Sequence, residues 1–237
     1  MINSLSLIIP AFNEKDRLPK SLDQAIDYFK KHNIDFEIIV VDDASSDTTP
    51  EIVLQYSKTH PNIVLARNSK NMGKGFSVKQ GVMLATKQWV LFSDADFSTP
   101  ISELDKFSDF AKVYDIVIGS RALKESKIID PQNIARELSG KAFNALARLL
   151  RLTDLKDTQC GFKLFKGAVA KIVFQKQTIN GFGFDVETLS IAKRMEFKIK
   201  EVGVNWKNSK PTKLRIFIDP LLMFFDLFRI WLGQMQG

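Results

Sequence analysis

Short apolar runs alternate with segments of helical spacing through the first half of this chain. Each run is brief, rich in β-branched and aromatic residues and bounded by polar residues, as is typical of buried strands. The runs occupy residues 5–10, 36–41, 63–66, 89–93 and 115–121. Segments of helical spacing occupy residues 16–31, 76–87 and 101–112, and a further helix starts after Asp47. This alternation predicts an α/β fold in which helices flank a mostly parallel, doubly wound central sheet. In the second half, residues 199–206 are predicted to form a strand, and a helix is predicted to follow Asp185 and Glu187 and to run to about residue 194.

The run at residues 89–93 ends in Asp94-Ala95-Asp96. Ligands of an α/β sheet bind beyond the carboxyl ends of its strands, and alternate residues of an extended strand point to one side. Asp94 and Asp96 are therefore predicted to face one ligand, and paired carboxylates suit a divalent cation that also holds substrate phosphates. Two acids separated by one residue are common by chance, so the alternative interpretation of this motif alone is a solvated loop.

Three other predicted strands end in polar residues at the same edge. Glu14 follows the first strand, Asp42 and Asp43 follow the second, and Arg121 ends the fifth. An acid after the second strand is well placed for a ribose hydroxyl or a base N–H, and a metal at this edge would make a diphosphate a better leaving group. The basic residues that could contact phosphate are Arg121, Lys207, Lys210 and Lys213. The alternative interpretation of each one, taken alone, is a solvated surface charge.

The composition favours an anionic partner. The chain has 34 Lys and Arg against 27 Asp and Glu, a net charge of +7. Such an excess suits nucleotide phosphates, an anionic lipid surface or nucleic acid, but the basic residues are scattered rather than striped, which counts against nucleic acid. Cys160 is the only cysteine, so no intrachain disulfide is possible and a reducing compartment is expected.

The segment at residues 221–232 is strongly apolar. As a helix it has an apolar face wider than half its circumference, with Asp226 and Arg229 spaced to pair on the remaining stripe. It is too short and too charged to span a bilayer, and the sequence predicts no signal peptide or ordinary transmembrane helix. We expect a catalytic domain over residues 1–215 and an amphipathic helix over residues 216–237. This helix would lie in a membrane surface, dock on the domain or pair two chains.

Several motifs occur at the predicted strand ends and loops. The first four are Pro10-Ala11-Phe12-Asn13-Glu14, Val41-Asp42-Asp43-Ala44-Ser45, Asn71-Met72-Gly73-Lys74-Gly75 and Asp94-Ala95-Asp96. Together they resemble the family 2 glycosyltransferases of GT-A fold. The later ones are Gly119-Ser120-Arg121, Asp157-Thr158-Gln159-Cys160-Gly161-Phe162-Lys163-Leu164-Phe165, Phe184-Asp185-Val186-Glu187 and Val204-Asn205-Trp206. They narrow the resemblance to the dolichyl- or polyprenyl-phosphate glucosyltransferases, which are relatives of dolichyl-phosphate mannose synthase.

The resemblance implies a role for individual residues. Those that would hold the nucleoside are Pro10, Phe12, Glu14, Val41 and Asp43. Those that would bind the diphosphate through Mg²⁺ or Mn²⁺ are Asp94, Ala95 and Asp96, and Lys74 is a further candidate for binding the donor. The basic residues that would meet the donor and the lipid phosphate are Arg121 and Arg136, with Lys207 and Lys213 on a loop that closes over the donor. Asp157 and Asp185 match acids near the reaction centre, and their roles are left open. Phe12 stands where relatives often have tyrosine, so the ring is kept and a hydroxyl is lost.

The activity implied by the resemblance is inverting and metal-dependent transfer of a hexose, glucose from UDP-glucose, onto the phosphate of dolichyl or polyprenyl phosphate. Mannose transfer from GDP-mannose and transfer to a sugar hydroxyl are the alternatives. A phosphate acceptor is already ionised at neutral pH, so a strong general base is not needed. Many relatives carry transmembrane segments and none is predicted here, so we expect peripheral attachment at the cytoplasmic face of a membrane, with a homodimer as a further possibility.

A receiver-like phospho-switch module is the non-enzymatic alternative. It also has an acid pair after an early strand and a lysine after a late one. The length of the chain counts against it, as does Leu65-Ala66-Arg67 where such a module has a single aspartate at the end of its third strand.

Overall fold

The structure is a computed structural model that describes residues 2–130, 134–209 and 218–235. The strands in these ranges are β1 (Ser4–Ala11), β2 (Asp35–Asp42), β3 (Ile63–Arg67), β4 (Trp89–Ser93), β5 (Ile116–Ser120), β6 (Lys127–Asp130), β7 (Phe162–Lys166), β8 (Ile199–Gly203) and β9 (Asn205–Lys207). The α-helices are α1 (Leu18–Lys31), α2 (Thr49–Thr59), α3 (Lys74–Leu84), α4 (Leu104–Phe110), α5 (Ile134–Leu149), α6 (Gly167–Lys176), α7 (Phe184–Arg194) and α8 (Ile218–Met235). The expected boundary at residue 215 lies outside the described ranges.

Seven strands form one sheet in the order β3-β2-β1-β4-β7-β5-β8. Neighbours run parallel, except that β7 is antiparallel to both β4 and β5. The mostly parallel α/β fold expected from the sequence is therefore confirmed. The parallel register of β1 and β2, in which Ala11 faces Asp42, places the loops after both strands at one edge of the sheet.

Four details differ from the sequence expectation. The segment expected to be one strand from residue 199 to 206 is divided into β8, in the main sheet, and β9, which pairs with β6 in a separate two-stranded sheet. The helix α6 was not expected. Asp185 lies inside the first turn of α7 rather than before the helix, as does Glu187. The helix expected over residues 101–112 is a single 3₁₀ turn, Ile101–Glu103, followed by the short α4.

Helices cover both faces of the sheet because each presents an apolar stripe to it. In α1 the buried residues recur at helical spacing, and they are Leu18, Leu22, Ala25, Ile26 and Phe29, with Ser21 beside them. Burying one such large side chain contributes about 1.5–3 kcal/mol. One core cluster contains residues of α1, α2 and α4. The other contains residues of α3, α5, α6, α7 and α8. The helix α8 thus docks on the second face through Leu227 and Ile230.

The other side of α8 carries large exposed apolar residues. They are Ile218, Leu221, Leu222, Phe225, Phe228 and Leu232, each between 47% and 63% exposed. Asp226 is half-buried beside Gly183. Among the described residues, Arg229 acts on Asp226 through its charge but forms no hydrogen bond with it. No helix in the described ranges has the length and hydropathy needed to cross a bilayer.

Candidate active site

Asp94 and Asp96 lie on a turn at the end of β4, and both carboxylates act on the charge of Lys74. The strand β4 ends at Ser93, and the Phe97 N–H donates to the Asp94 carbonyl at 3.1 Å. The Ser98 N–H donates to Asp96 Oδ1 at 2.9 Å. The extended geometry on which the one-sided placement of Asp94 and Asp96 was based does not continue beyond Ser93, because the chain turns immediately after the strand.

The loops at this edge are held in uncommon backbone conformations. Asn13, Ala44 and Phe97, which follow β1, β2 and β4, have φ values of 54°, 60° and 44°. Non-glycine residues in this region cost of order 1–3 kcal/mol each and persist only where neighbours fix them. Here the Asn13 N–H donates to Ser45 Oγ at 2.8 Å, and Asn13 Oδ1 accepts from the Ser46 N–H at 2.8 Å. The first two edge loops therefore form one hydrogen-bonded unit.

Asp43 anchors the glycine-containing loop before α3. Its buried carboxylate accepts from Asn68 Nδ2 at 2.6 Å and from the N–H groups of Met72 and Gly73, both at 2.8 Å. A carboxylate that accepts several N–H bonds is held firmly in place. The predicted nucleoside contact of Asp43 remains a prediction, and the geometry shows that Asp43 also fixes the backbone immediately before Lys74.

Among the described residues, Lys74 is the cation nearest to Asp94. Its Nζ lies 2.6 Å from Asp94 Oδ1. Burial alone would lower the pKa of Lys74, but the carboxylates of Asp94, Asp185 and Asp96 raise it above its ordinary value. Lys74 is therefore a fixed positive charge beside Asp94.

Gly161 makes room for the Asp94 carboxylate. A Cβ atom added at Gly161 would overlap all three atoms of that carboxylate. The Asp94 N–H also donates to the Gly161 carbonyl at 3.1 Å. Because β7 runs antiparallel to β4, the residue before β7 lies beside the residue after β4. This explains why glycine is required there.

Arg17 joins three parts of the edge. Its guanidinium forms a two-point pair with Glu14, with Nε at 2.6 Å from Oε2 and NH2 at 2.5 Å from Oε1. It also lies 3.5 Å from Asp96 Oδ2 and 3.3 Å from Ser209 Oγ. Glu14 is thus neutralised by a partner that also reaches the second aspartate and the segment after β9.

Arg121 is held by Asp157 and Trp206. Its Nε donates to Asp157 Oδ2 at 2.8 Å and its NH2 donates to Oδ1 at 2.9 Å. The backbone N–H of Arg121 also donates to Oδ2 at 2.9 Å. The guanidinium carbon lies 5.6 Å from the centre of the Trp206 ring. Burial would raise the pKa of Asp157, but Arg121 holds it below its ordinary value. Asp157 is therefore an ionised carboxylate that orients Arg121.

Lys163 and Asp185 form a buried ion pair behind the aspartates. Lys163 is fully buried, and its Nζ contacts Asp185 Oδ1 and donates to the Cys160 carbonyl at 2.7 Å. The same Nζ lies 4.9 Å from the centre of the Phe92 ring. Burial raises the pKa of Asp185, against the pull of Lys163 and Lys74.

The remaining predicted site residues differ in their access to a ligand. Phe12 is 36% exposed and Pro10 is partly exposed at the end of β1. Val41 is buried in the core against Gly81, so only its backbone faces the edge. Ala95 is also buried, and Lys207 is exposed, with its N–H donating to the Ser98 carbonyl at 2.8 Å. The side chain of Arg136 and the residues Lys210 and Lys213 lie outside the described part of the chain.

Asp94 and Asp96 are the carboxylates that could hold a metal ion. Their side chains are 37% and 17% exposed, and a cation already sits against Asp94 in the form of Lys74. No cluster of three or more His, Cys, Asp or Glu with metal-binding geometry occurs among the described residues. Two carboxylates completed by diphosphate oxygens and water nevertheless match the way Mg²⁺ is bound in proteins.

Arg17, Lys163 and Gly161 contribute to the site, although the sequence interpretation gave none of them an individual role. Arg17 lies one helical turn after Glu14, and that i,i+3 spacing of opposite charges was the available signal. Lys163 lies between Phe162 and Leu164 in the buried part of β7, and a charge within a buried run indicates a buried partner. Gly161 carried no such signal, because the need for it arises from the antiparallel pairing of β7 with β4.

The fold is a nucleotide-sugar-binding fold of GT-A type. Its acids and cations lie together at the carboxyl edge of β1, β2 and β4. The solved structures that share it include the two described next. One is glucosyl-3-phosphoglycerate synthase from Mycobacterium tuberculosis, solved with Mn²⁺, uridine diphosphate and phosphoglyceric acid. The alignment covers 97% of this chain and 78% of that protein, at 17% identity and a TM-score of 0.70. Mannosyl-3-phosphoglycerate synthase from Rubrobacter xylanophilus aligns over 98% of this chain and 74% of its own, at 16% identity and a TM-score of 0.71.

Residues 6–173 match the family described as glycosyl transferase family 2, and the chain belongs to this family. Its similar relatives include a dolichyl-phosphate beta-glucosyltransferase of Trichomonas vaginalis, 37% identical over 95% of this chain and 72% of the relative. The dolichyl-phosphate beta-glucosyltransferases of Drosophila melanogaster and Homo sapiens are 35% and 32% identical, each over 98% of this chain and 76% of the relative. The expected family is thus confirmed, and the receiver-like alternative is set aside.

Proposed function

We propose that this protein transfers glucose from UDP-glucose to the phosphate of a dolichyl or polyprenyl phosphate, with inversion at the sugar C1. The observation that carries the proposal is the alignment of nearly the whole chain with dolichyl-phosphate beta-glucosyltransferases from several eukaryotes. The arrangement of charge at the sheet edge supports it, because the site offers cations to two anionic substrates at once.

The donor would bind across the carboxyl ends of β1, β2 and β4. The exposed ring of Phe12 is available to the nucleoside, and Lys74 is available to the diphosphate. A divalent metal ion, Mg²⁺ or Mn²⁺, held by Asp94 and Asp96 would supply the charge neutralisation that a departing diphosphate needs. Arg17, which pairs with Glu14 and lies 3.5 Å from Asp96, would be a further cation on the same side.

The acceptor phosphate would meet Arg121, whose orientation Asp157 and Trp206 fix in advance. Preorganised charge is usually the largest catalytic contribution when charge develops in the transition state. The two acids predicted near the reaction centre are both engaged, since Asp157 pairs with Arg121 and Asp185 pairs with Lys163. A phosphate acceptor suits such a site, because it arrives ionised and needs no base.

A membrane surface is the proposed location of the reaction, on its cytoplasmic face. The exposed apolar side of α8 is the feature that supports this proposal, since a polyprenyl phosphate is held in a bilayer and a helix of this kind lies in the interface. Pairing of two chains through the same side of α8 is the alternative use of that surface.

The test is incubation of the purified protein with membranes, Mg²⁺ or Mn²⁺ and labelled UDP-glucose, UDP-N-acetylglucosamine or GDP-mannose, followed by extraction into organic solvent. We expect label from UDP-glucose in the lipid fraction, none after chelation with EDTA, and none with Asp94→Asn. Label entering only with GDP-mannose would overturn the donor, label confined to water-soluble sugars would overturn the acceptor, and normal transfer by Asp94→Asn would overturn the metal assignment.

A further inference from the structure

Lys163 is an unusual residue for the middle of a sheet. It lies on β7, opposite Phe92 of β4, and none of its side chain is exposed. A buried ion pair is rarely justified by stability alone, because well-packed apolar residues of similar volume often serve as well or better. The presence of Lys163 therefore calls for an explanation in the site next to it.

The pair belongs to a row of alternating charges that ends at the paired aspartates. Lys163 contacts Asp185, the charges of Asp185 and Lys74 act on each other, and Lys74 contacts Asp94. Two aromatic rings fill the space between the lysines. Phe92 lies under Lys163, Phe184 lies 6.0 Å from Lys74, and the ring centres are 5.6 Å apart.

We propose that Lys163 and Asp185 are positioning residues for Lys74, and that together they hold its ammonium group where it can contact the diphosphate of a bound nucleotide. This inference rests on the proposed use of the site by a nucleotide diphosphate. It assigns Asp185 to the support of a cation rather than to proton transfer, and it gives Lys163 a role that neither its burial nor its strand position explains.

The physical argument concerns what Lys74 does once Asp94 is occupied. A diphosphate with its cation competes with Lys74 for Asp94, and Asp185 then remains as the carboxylate that keeps Lys74 in place. Without Lys163, the whole charge of Asp185 would fall on Lys74 and draw it away from the diphosphate. Lys163 takes up part of the attraction of Asp185, so Lys74 stays in position and can still contact the diphosphate.

A double-mutant cycle between Lys163 and Lys74 tests the proposal. The variants are Lys163→Met, Lys74→Met and the two combined, and the readout is the affinity for UDP, GDP and inorganic pyrophosphate, each with Mn²⁺, by calorimetry. We expect Lys163→Met to weaken binding of the diphosphate about tenfold when Lys74 is present, and less than about twofold when it is absent. Equal losses in the two backgrounds would overturn the proposal.

Lys163→Met leaves Asp185 buried with less compensation, so its melting temperature should fall by about 10 °C. A second variant, Lys163→Met with Asp185→Leu, removes both charges and should restore the melting temperature. Its diphosphate affinity should stay about tenfold below that of the wild type, because Lys74 still lacks its support. Recovery of affinity together with the melting temperature would show a purely structural role and would also overturn the proposal.

Lys166→Met is the matched control. Lys166 lies on the same strand and pairs with Asp115 at 2.9 Å, but it faces Trp89 at the opposite end of β4. Its replacement should leave diphosphate affinity unchanged. Comparison of the three ligands separates this inference from the donor assignment. Preference for GDP over UDP would defeat the proposed donor, but the Lys163–Lys74 coupling would still be measurable, with pyrophosphate as well. A wild-type protein that binds no diphosphate would defeat both proposals.

Discussion

Gly161 determines where the Asp94 carboxylate can lie, although it carries no chemistry of its own. We expect Gly161→Ala to lower kcat/KM about 10²-fold, because the added Cβ displaces that carboxylate, and a displacement of about 1 Å in a catalytic constellation has this effect. Steady-state kinetics with UDP-glucose would measure it. Gly140→Ala on α5 is the control, since nothing lies within 4 Å of its added Cβ. That control should keep full activity and gain about 0.5–1 kcal/mol of stability. Equal activity of the two variants would contradict the prediction.

Arg121 shows what a change of geometry at constant charge should do. Arg121→Lys keeps a cation but cannot donate two parallel bonds to Asp157 while lying on the Trp206 ring. We expect kcat to fall about 10²–10³-fold. Arg67→Lys replaces another arginine that pairs with an acid, Asp42, but it is 54% exposed on β3 and should change kcat little. An unchanged kcat in Arg121→Lys would remove Arg121 from the proposed acceptor site.

For individual residues, the sequence could locate the charged side chains but not their partners. The motifs predicted that Asp157 and Asp185 lie near the reaction centre, and spacing along the chain contains no information that Asp157 binds Arg121 or that Asp185 binds Lys163. These pairs join residues 36 and 22 positions apart. They form only once β7 is inserted between β4 and β5.

The elements of the first half of the chain follow local rules, and for that reason they were predictable. Each strand from β1 to β5 is an apolar run that ends at polar residues, and each helix between them has one buried stripe. The second half departs from those rules. The direction of β7 and the split between β8 and β9 depend on which edge each segment meets, so periodicity alone could not reveal them.

The contact between α8 and the start of α7 predicts a dependence of stability on pH. Asp226 is partly buried, and this burial, with the like charge of Glu187, raises its pKa to about 6 from 3.8, against the pull of Arg229. The folded protein therefore binds this proton more tightly than the unfolded chain does. The associated stability is full below about pH 4 and is lost as the pH rises to about 6.

Asp226→Asn removes this titration and keeps the shape of the side chain. We expect the variant to be more stable than the wild type at pH 7.5 by about 1 kcal/mol, a value that allows for the partial exposure of Asp226, and to lose the advantage at pH 4. Urea unfolding at the two pH values measures the difference. Asp109→Asn on α4, at the other face of the sheet, is the control. A difference that does not change with pH would refute the assignment.

For the whole molecule, the two faces of the sheet carry different helices. The helices α1, α2 and α4 lie on one face, and α8 lies with α5 and α7 on the other. Only the packed side of α8 contributes to that second core, while its outer side presents Phe225 at 63% and Phe228 at 47% exposure. An excess of seven positive charges on the chain adds attraction to an anionic bilayer. These features together predict binding to membranes through α8.

Phe225→Ser with Phe228→Ser should weaken binding to vesicles at least tenfold, since each ring lost removes on the order of 1 kcal/mol or more of apolar burial. Co-sedimentation with vesicles of phosphatidylcholine, alone and mixed equally with phosphatidylglycerol, would measure the change. The wild type should prefer the anionic vesicles, and added salt should reduce that preference. The matched control is Leu54→Ser with Val113→Ser, which removes two similarly exposed apolar residues outside α8. If the double phenylalanine variant bound vesicles normally but changed from a dimer to a monomer in light scattering, the outer side of α8 would be a contact between chains instead, because the same rings cannot be buried in a partner and in lipid at once.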